Sequence, residues 1–226
     1  MKNIAIIPIG GKGSRMQNEI PKQFIEVEGK PIYLYTLEKF QKNEKIDKII
    51  IACIKGYEET VKETCKEKNI DKVINVVTGG NTQLESIYNC LKELDGIAND
   101  EDHIIIHVGN RPNLSDELIT RILKESEEKR SVVSVIPEIE VMANRTTGKI
   151  IPRKDIVRIQ TPQVYVYEDL AFFIEDGEKY YGEFATVCDM FLENDKEVSF
   201  VEGEILNFKI TYPEDIELFK KLINNQ

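Results

Sequence analysis

Short β-branched runs alternate with amphipathic helical segments from one end of this chain to the other, and that alternation restricts its fold more than any other feature. Ile4–Ile7 predicts a first strand, and apolar residues at helical spacing predict a helix over Ile32–Gln41. Lys48–Cys53 and Lys72–Val77 read as two further strands, with a charged amphipathic helix, Tyr57–Lys68, between them. Leu84–Leu94 places Ile87, Leu91 and Leu94 on one helical face. His103–His107 is the fourth predicted strand, Ser115 caps a helix running to about Lys129, and Val132–Ile136 is the fifth strand. Repeated strand–helix units of this kind build right-handed βαβ crossovers and a mostly parallel, twisted sheet flanked by helices. Val164–Tyr167, a helix near Gly182–Glu193 and a last helix over Pro213–Ile223 complete an α/β domain spanning residues 1–226.

One segment breaks the rhythm. Pro137–Gln160 is rich in β-branched residues, turns at Asn144-Arg145-Thr146-Thr147-Gly148 and has no helical face. It predicts a hairpin or protruding β-arm, which either contacts a second subunit or is an ordinary surface excursion.

The first strand runs into Gly10-Gly11-Lys12-Gly13-Ser14-Arg15-Met16, then Pro21-Lys22-Gln23-Phe24. Closely spaced glycines let the backbone turn tightly beside a bulky group, and consecutive N–H groups form a concavity for anions. Lys12, Arg15 and Lys22 add positive charge there. The pattern lacks both the G-K-[ST] ending of a P-loop and the G-x-G-x-x-G of a dinucleotide fold. Composition sharpens the expectation of a phosphate-bearing ligand. A net charge of −10 opposes general nucleic-acid binding, so a polyanion needs the few useful cations gathered in one place. Four scattered cysteines, Cys53, Cys65, Cys90 and Cys188, show no C-x-x-C spacing, which predicts neither zinc nor a disulfide framework and fits a reducing cytoplasm. No apolar stretch approaches membrane-spanning length, and Met1-Lys2-Asn3 leads into a strand rather than a signal peptide.

Ligands of open parallel sheets bind beyond the carboxyl ends of the strands. The residues there are Gly79-Gly80-Asn81-Thr82-Gln83 with Ser86, and Val108-Gly109-Asn110-Arg111-Pro112. Late in the chain, Asn207-Phe208-Lys209-Ile210-Thr211 sets one lysine inside an apolar run, either a working cation or a snorkelling strand lysine. In this order, and over nearly the whole chain, these segments resemble the cytidylyltransferases that act on methylerythritol phosphate or ribitol phosphate. The pattern of that family is A-G-G-x-G-x-R-M, P-K-Q-F, G-G-x-x-R-x-x-S, H-D-A-x-R-P, an arm arginine before T-P-Q, T-D, and N-I-K-I-T-x-P-x-D. Its counterparts here include His107, Arg111-Pro112, Arg153, Thr161-Pro162-Gln163 and Asp215, and Gly203-Glu204-Ile205-Leu206-Asn207 leans toward the ribitol-phosphate branch.

The resemblance implies a Rossmann-like nucleotidyltransferase that moves CMP from CTP to a small phosphorylated or phosphonate acceptor and releases pyrophosphate. By similarity, Arg15, Lys22 and Lys209 would be catalytic, stabilising charge on the α-phosphate and departing pyrophosphate. Gly10, Gly11, Lys12, Gly13 and Ser14 would hold the triphosphate, with Gly79, Gly80 and Ser86 framing cytosine and ribose. Arg153 would hold the acceptor phosphate, in a homodimer joined through the arm and across to the neighbouring site. Magnesium is the implied cofactor.

Four positions depart from the pattern. Val108 replaces the metal-binding Asp, Gln83 the arginine of the second motif, Ala185-Thr186 the T-D pair, and Glu140-Val141 the Asp-Thr of the arm. Valine offers no oxygen to a hard cation, so magnesium would rest mainly on triphosphate oxygens and no residue is assigned as a metal ligand. Three functions stay open: an active enzyme with an altered acceptor, a nucleotide-binding homologue with little transfer, or another nucleotide on the same fold. Glu183 and Asp189, six residues apart, cannot both replace the lost acid. His107 is expected to satisfy a strand-end hydrogen bond rather than catalyse, and with His103 it makes no metal pair.

Overall fold

The structure is a computed structural model and describes residues 1–11 and 20–224. In chain order its elements begin with β1 (Asn3–Ile9), β2 (Glu26–Val27), β3 (Lys30–Pro31), α1 (Ile32–Lys42), β4 (Lys48–Cys53), α2 (Glu58–Glu67) and β5 (Val73–Thr78). Next come α3 (Gln83–Lys92), β6 (His103–Ile106), α4 (Asp116–Ser126), β7 (Ser131–Pro137), β8 (Met142–Ala143), β9 (Ile150–Ile151) and β10 (Val157–Val166). The chain ends through α5 (Ala171–Asp176), α6 (Val187–Glu193), β11 (Ser199–Glu202) and α7 (Pro213–Ile223).

Among the described residues one seven-stranded sheet runs in the order β11-β7-β10-β6-β1-β4-β5. Every neighbouring pair is parallel except those of β10, which lies antiparallel to both β6 and β7. The continuous runs Ile4–Ile7 and Ile49–Cys53 are fully buried because helices cover both faces of the sheet. One face packs on α1, α2 and α4 through Leu34, Leu37, Phe40, Val61 and Ile119. The other packs on α3, α5 and α6 through Ile87, Leu91, Phe173 and Phe191. Burying each such side chain stabilises the fold by about 1.5–3 kcal/mol before entropy is counted.

Strand order also locates the site. From β1 the chain steps outward through β4 to β5, then returns to the other side of β1 as β6. The order therefore reverses between β1 and β6, and a crevice opens beyond their carboxyl ends.

The predicted alternation is present, with differences at its edges. The arm is a hairpin with a two-stranded ribbon, β8 with β9, but it is shorter than Pro137–Gln160. Val157–Ile159 already pair with β7, so the strand expected at Val164–Tyr167 begins at Val157. Its register shifts between Ile159 and Gln163, the kind of irregularity that re-aims side chains beside a site. The late helix starts at Val187 rather than Gly182, because Thr186 and Asp189 form a capping box that sets its first turn. Four elements, β2, β3, α5 and β11, are absent from the sequence reading. β11 is an edge strand of four half-exposed residues, too short and too polar to show a period.

Candidate active site

Beyond β1, β6 and the turn after β5 lies an open cavity of about 340 Å³. Gly10 and Gly11 form one side, and Gly80, Asn81, Thr82, Gln83 and Ser86 form the second. Val108 and Asn110 make the floor, with Lys22, Gln23, Lys209 and Thr211 across the opening. Lys209 and Thr211 also line a second cavity of about 580 Å³, which contains Arg111, Arg158 and Tyr212.

A Cβ added to Gly10 would meet its nearest atom, Ser86 Oγ, at 3.6 Å, which is ordinary contact. Protein packing alone does not demand glycine there, whereas a side chain would fill the cavity. Gly79 is different. A Cβ there would lie 3.0 Å from the Cys53 carbonyl oxygen and 3.1 Å from Ser86 Oγ, so glycine lets the two chain ends close together. Gly79 consequently backs the wall, while Gly80 and Ser86 face the cavity.

The amides of residues 79–81 are already committed. Gly79 N–H donates to the Cys53 carbonyl (2.6 Å), Gly80 N–H to Ser86 Oγ (3.0 Å) and Asn81 N–H to Glu85 Oε2 (2.6 Å). Ser86 Oγ in turn donates to the Thr82 carbonyl (2.9 Å), and Thr82 Oγ1 caps α3 by accepting from Glu85 N–H. These three amides brace the wall rather than form an anion nest.

On the floor, buried His107 bonds through Nε2 to the Arg111 carbonyl (3.1 Å) and through Nδ1 to Thr161 Oγ1 (3.2 Å). Burial holds its imidazole neutral, with a pKa lowered to about 3. This is the strand-end structural histidine expected from the sequence. His103 likewise bonds Asn3 and Ser126, and no group of three or more metal-ligating side chains occurs among the described residues. Burial also lowers the Arg111 guanidinium, to about 10, and Arg111 Nη1 donates to the Asn207 carbonyl.

The loop carrying Lys209 is not a strand, so the snorkelling-strand reading of this lysine is incorrect. The loop is tied down at both ends instead. Asn207 Nδ2 donates to the Thr161 carbonyl (2.8 Å), and Asp215 Oδ2 accepts from the N–H groups of Thr211 (2.7 Å) and Tyr212 (2.8 Å). Lys22 Nζ donates to the Ile210 carbonyl (3.1 Å), which brings both predicted lysines to one rim.

Lys12, Gly13, Ser14 and Arg15 lie outside the described residues. Arg153 is exposed on the arm, where its guanidinium donates to the Ile139 carbonyl, and it does not line the cavity of its own chain. Val108, 6% exposed, stands where a metal-binding acid was expected. No carboxylate is among the described residues lining the cavity, so these residues do not fit a protein-held magnesium ion. Asp189 does not replace the acid lost with the T-D pair, being consumed by the N–H groups of Ala185 and Thr186. Asn110 and Thr211 escaped the sequence reading as individuals. Only their neighbours, Arg111-Pro112 and Lys209, carried a recognisable pattern.

Comparison with known proteins follows the same lines. The family model described as IspD, 2-C-methyl-D-erythritol 4-phosphate cytidylyltransferase, matches residues 3–225. A ribitol-5-phosphate cytidylyltransferase of Vibrio parahaemolyticus is 33% identical over 230 residues, covering 99% of this chain and 97% of that protein. A 2-C-methyl-D-erythritol 4-phosphate cytidylyltransferase of Clostridium botulinum is 33% identical over 227 residues, covering 98% and 97%. Crystal structures of such enzymes from Thermus thermophilus and Francisella tularensis superpose with TM-scores of 0.79 and 0.80. They cover 99% and 98% of this chain and 100% and 99% of their own, at 23% and 24% identity, and so share its fold.

Proposed function

The chain belongs to the IspD family of cytidylyltransferases, and from that premise we propose that it transfers CMP from CTP to the phosphate of a small sugar-alcohol-like acceptor. The observation that carries this reading is the cavity at the β1/β6 switch point, flanked by Lys22 and Lys209 and framed by Gly10, Gly80 and Ser86. An acceptor phosphate oxygen attacks the α-phosphorus of CTP in line. The new P–O bond forms as the bond to the β-phosphate oxygen breaks, giving a CDP-linked product and pyrophosphate. Phosphate oxygens need no general base, so the work is positioning and charge stabilisation. Lys22 and Lys209 meet the charge that develops on the α-phosphate and leaving group, and Arg15 of the glycine turn is assigned to the same task. The rigid 79–86 wall holds the nucleoside, and a partner subunit's arm delivers an acceptor-binding arginine equivalent to Arg153.

The lining residues offer a divalent cation no carboxylate, so any such ion would rest on oxygens of the nucleotide rather than on Val108 or its neighbours. The four cysteines are free and buried, in keeping with a cytoplasmic enzyme, and no helix among the described residues is long and apolar enough to cross a membrane.

The test is pyrophosphate release from CTP, UTP or ATP with magnesium, against ribitol 5-phosphate, 2-C-methyl-D-erythritol 4-phosphate and a small phosphonate. Release with CTP and one polyol phosphate is the expected result. Val108 specifically favours a second reading, a nucleotide-binding homologue that does not turn over. Tight CTP binding with no release from any acceptor would establish that reading instead.

A further inference from the structure

Asn110 occupies the position that the family pattern leaves open, between the floor residue Val108 and the buried Arg111. Its side chain is 4% exposed and lines the cavity. Its backbone carbonyl accepts from Ile210 N–H (2.9 Å), and its own Nδ2 donates to the Ile210 carbonyl (2.8 Å). A single asparagine thus grips both polar groups of the residue that follows Lys209.

The Ile210 carbonyl has two lone pairs, and Lys22 Nζ takes the other at 3.1 Å. Lys22 follows β1 in the chain, Lys209 lies on the loop before α7, and both line the cavity. The Ile210 carbonyl therefore ties Lys22 to the residue that follows Lys209, and Asn110 decides where that carbonyl points. We propose that Asn110 is a positioning residue, which sets the spacing between Lys22 and Lys209 by orienting the Ile210 carbonyl. The inference rests on the cytidylyltransferase reading of the site. A displacement of about 1 Å in either ammonium group matters because in-line transfer depends on charges placed before reaction begins.

The experiment is a double-mutant cycle on the full chain with Asn110→Ala and Lys22→Ala, read as kcat and KM for CTP and as CTP affinity by calorimetry. The expected result is a kcat loss of roughly tenfold or more for Asn110→Ala, a CTP KM within about threefold, and a nearly unchanged unfolding midpoint. In the Lys22→Ala background the same substitution should cost less than about threefold, since the ammonium it orients is gone. Wild-type kcat in Asn110→Ala, or an equal loss in both backgrounds, would overturn the proposal. If Asn110→Ala does not fold, Asn110→Leu, which keeps the volume and removes the donor, carries the same cycle. Should the wild-type enzyme bind CTP without turnover, the transfer reading fails by itself. The cycle is then read in CTP affinity, where additivity of the two substitutions still overturns the role of Asn110.

Discussion

At the residue scale, Val108 is the sharpest departure from the family pattern, and the structure sets it on the cavity floor beside Asn110. A carboxylate there would supply the anionic oxygen that the described lining residues lack. Val108→Asp is expected to raise CTP affinity several-fold with magnesium present and to leave it unchanged or lowered in chelator, as titration calorimetry would show. An equal response in both conditions would remove metal binding from this position. His107 makes a different prediction. Its folded pKa, about 3, lies below the ordinary value of 6.5, so between these pH values the unfolded chain binds a proton that the native protein refuses. The stability due to neutral His107 is therefore complete above about pH 6.5 and drains away as pH falls toward 3. Burial lowers His103 in the same direction. Urea midpoints for His107→Asn should start below wild type at pH 7, with the gap closing as the buffer is acidified. At this scale the lysines were legible in the sequence, because each sits in an ordered motif. Asn110 was not, since its role depends on a carbonyl one hundred residues away.

At the element scale, strands with continuous apolar runs and helices with clean stripes were readable, because both faces of the sheet are covered and the period survives. α4, capped by Ser115 Oγ accepting from Leu118 N–H, begins where the cap signal put it. It ends at Ser126, three residues before the expected Lys129. The elements that were missed or misplaced are those whose shape is imposed from outside. β11 is a strand only because β7 offers an edge, and β10 runs on to Val157 because β7 continues to Pro137. The capping box of α6 yields a prediction of its own. Thr186→Ala removes the acceptor for Asp189 N–H and the hydroxyl that donates to the Asp189 carboxylate, while the backbone donors of Ala185 and Thr186 stay in place. A stability loss of about 1 kcal/mol is expected in urea titration, with CTP affinity unchanged. A change in CTP affinity would mean that this segment reaches the nucleotide.

At the scale of the whole molecule, the arm is the part that a single chain does not explain. Ile139, Val141 and Ile150 are each more than 60% exposed on it, and Ile205, on the loop before Lys209, is 75% exposed. Such an apolar surface, on an extension carrying Arg153 away from its own cavity, supports the proposed homodimer in which arms reach the neighbouring sites. Replacing Ile139 and Val141 together by Glu should convert a dimer to a monomer in analytical ultracentrifugation. If the arm serves the partner's site, acceptor KM should rise at least tenfold while CTP affinity holds. A variant that stays dimeric, or a monomer with full activity, would count against that arrangement.

The sequence by itself determined the α/β class, the parallel core strands and the order of the segments that match the family pattern. Those properties follow from local periodicity and from residues that lie close together in the chain. Only the tertiary structure decided that Lys22 and Asn110 share the Ile210 carbonyl, that the 79–81 amides are spent on the protein itself, and that Val108 rather than a carboxylate lines the cavity. Each of these depends on contacts between segments that meet only where the strand order reverses, and no local pattern records which atoms will face one another there.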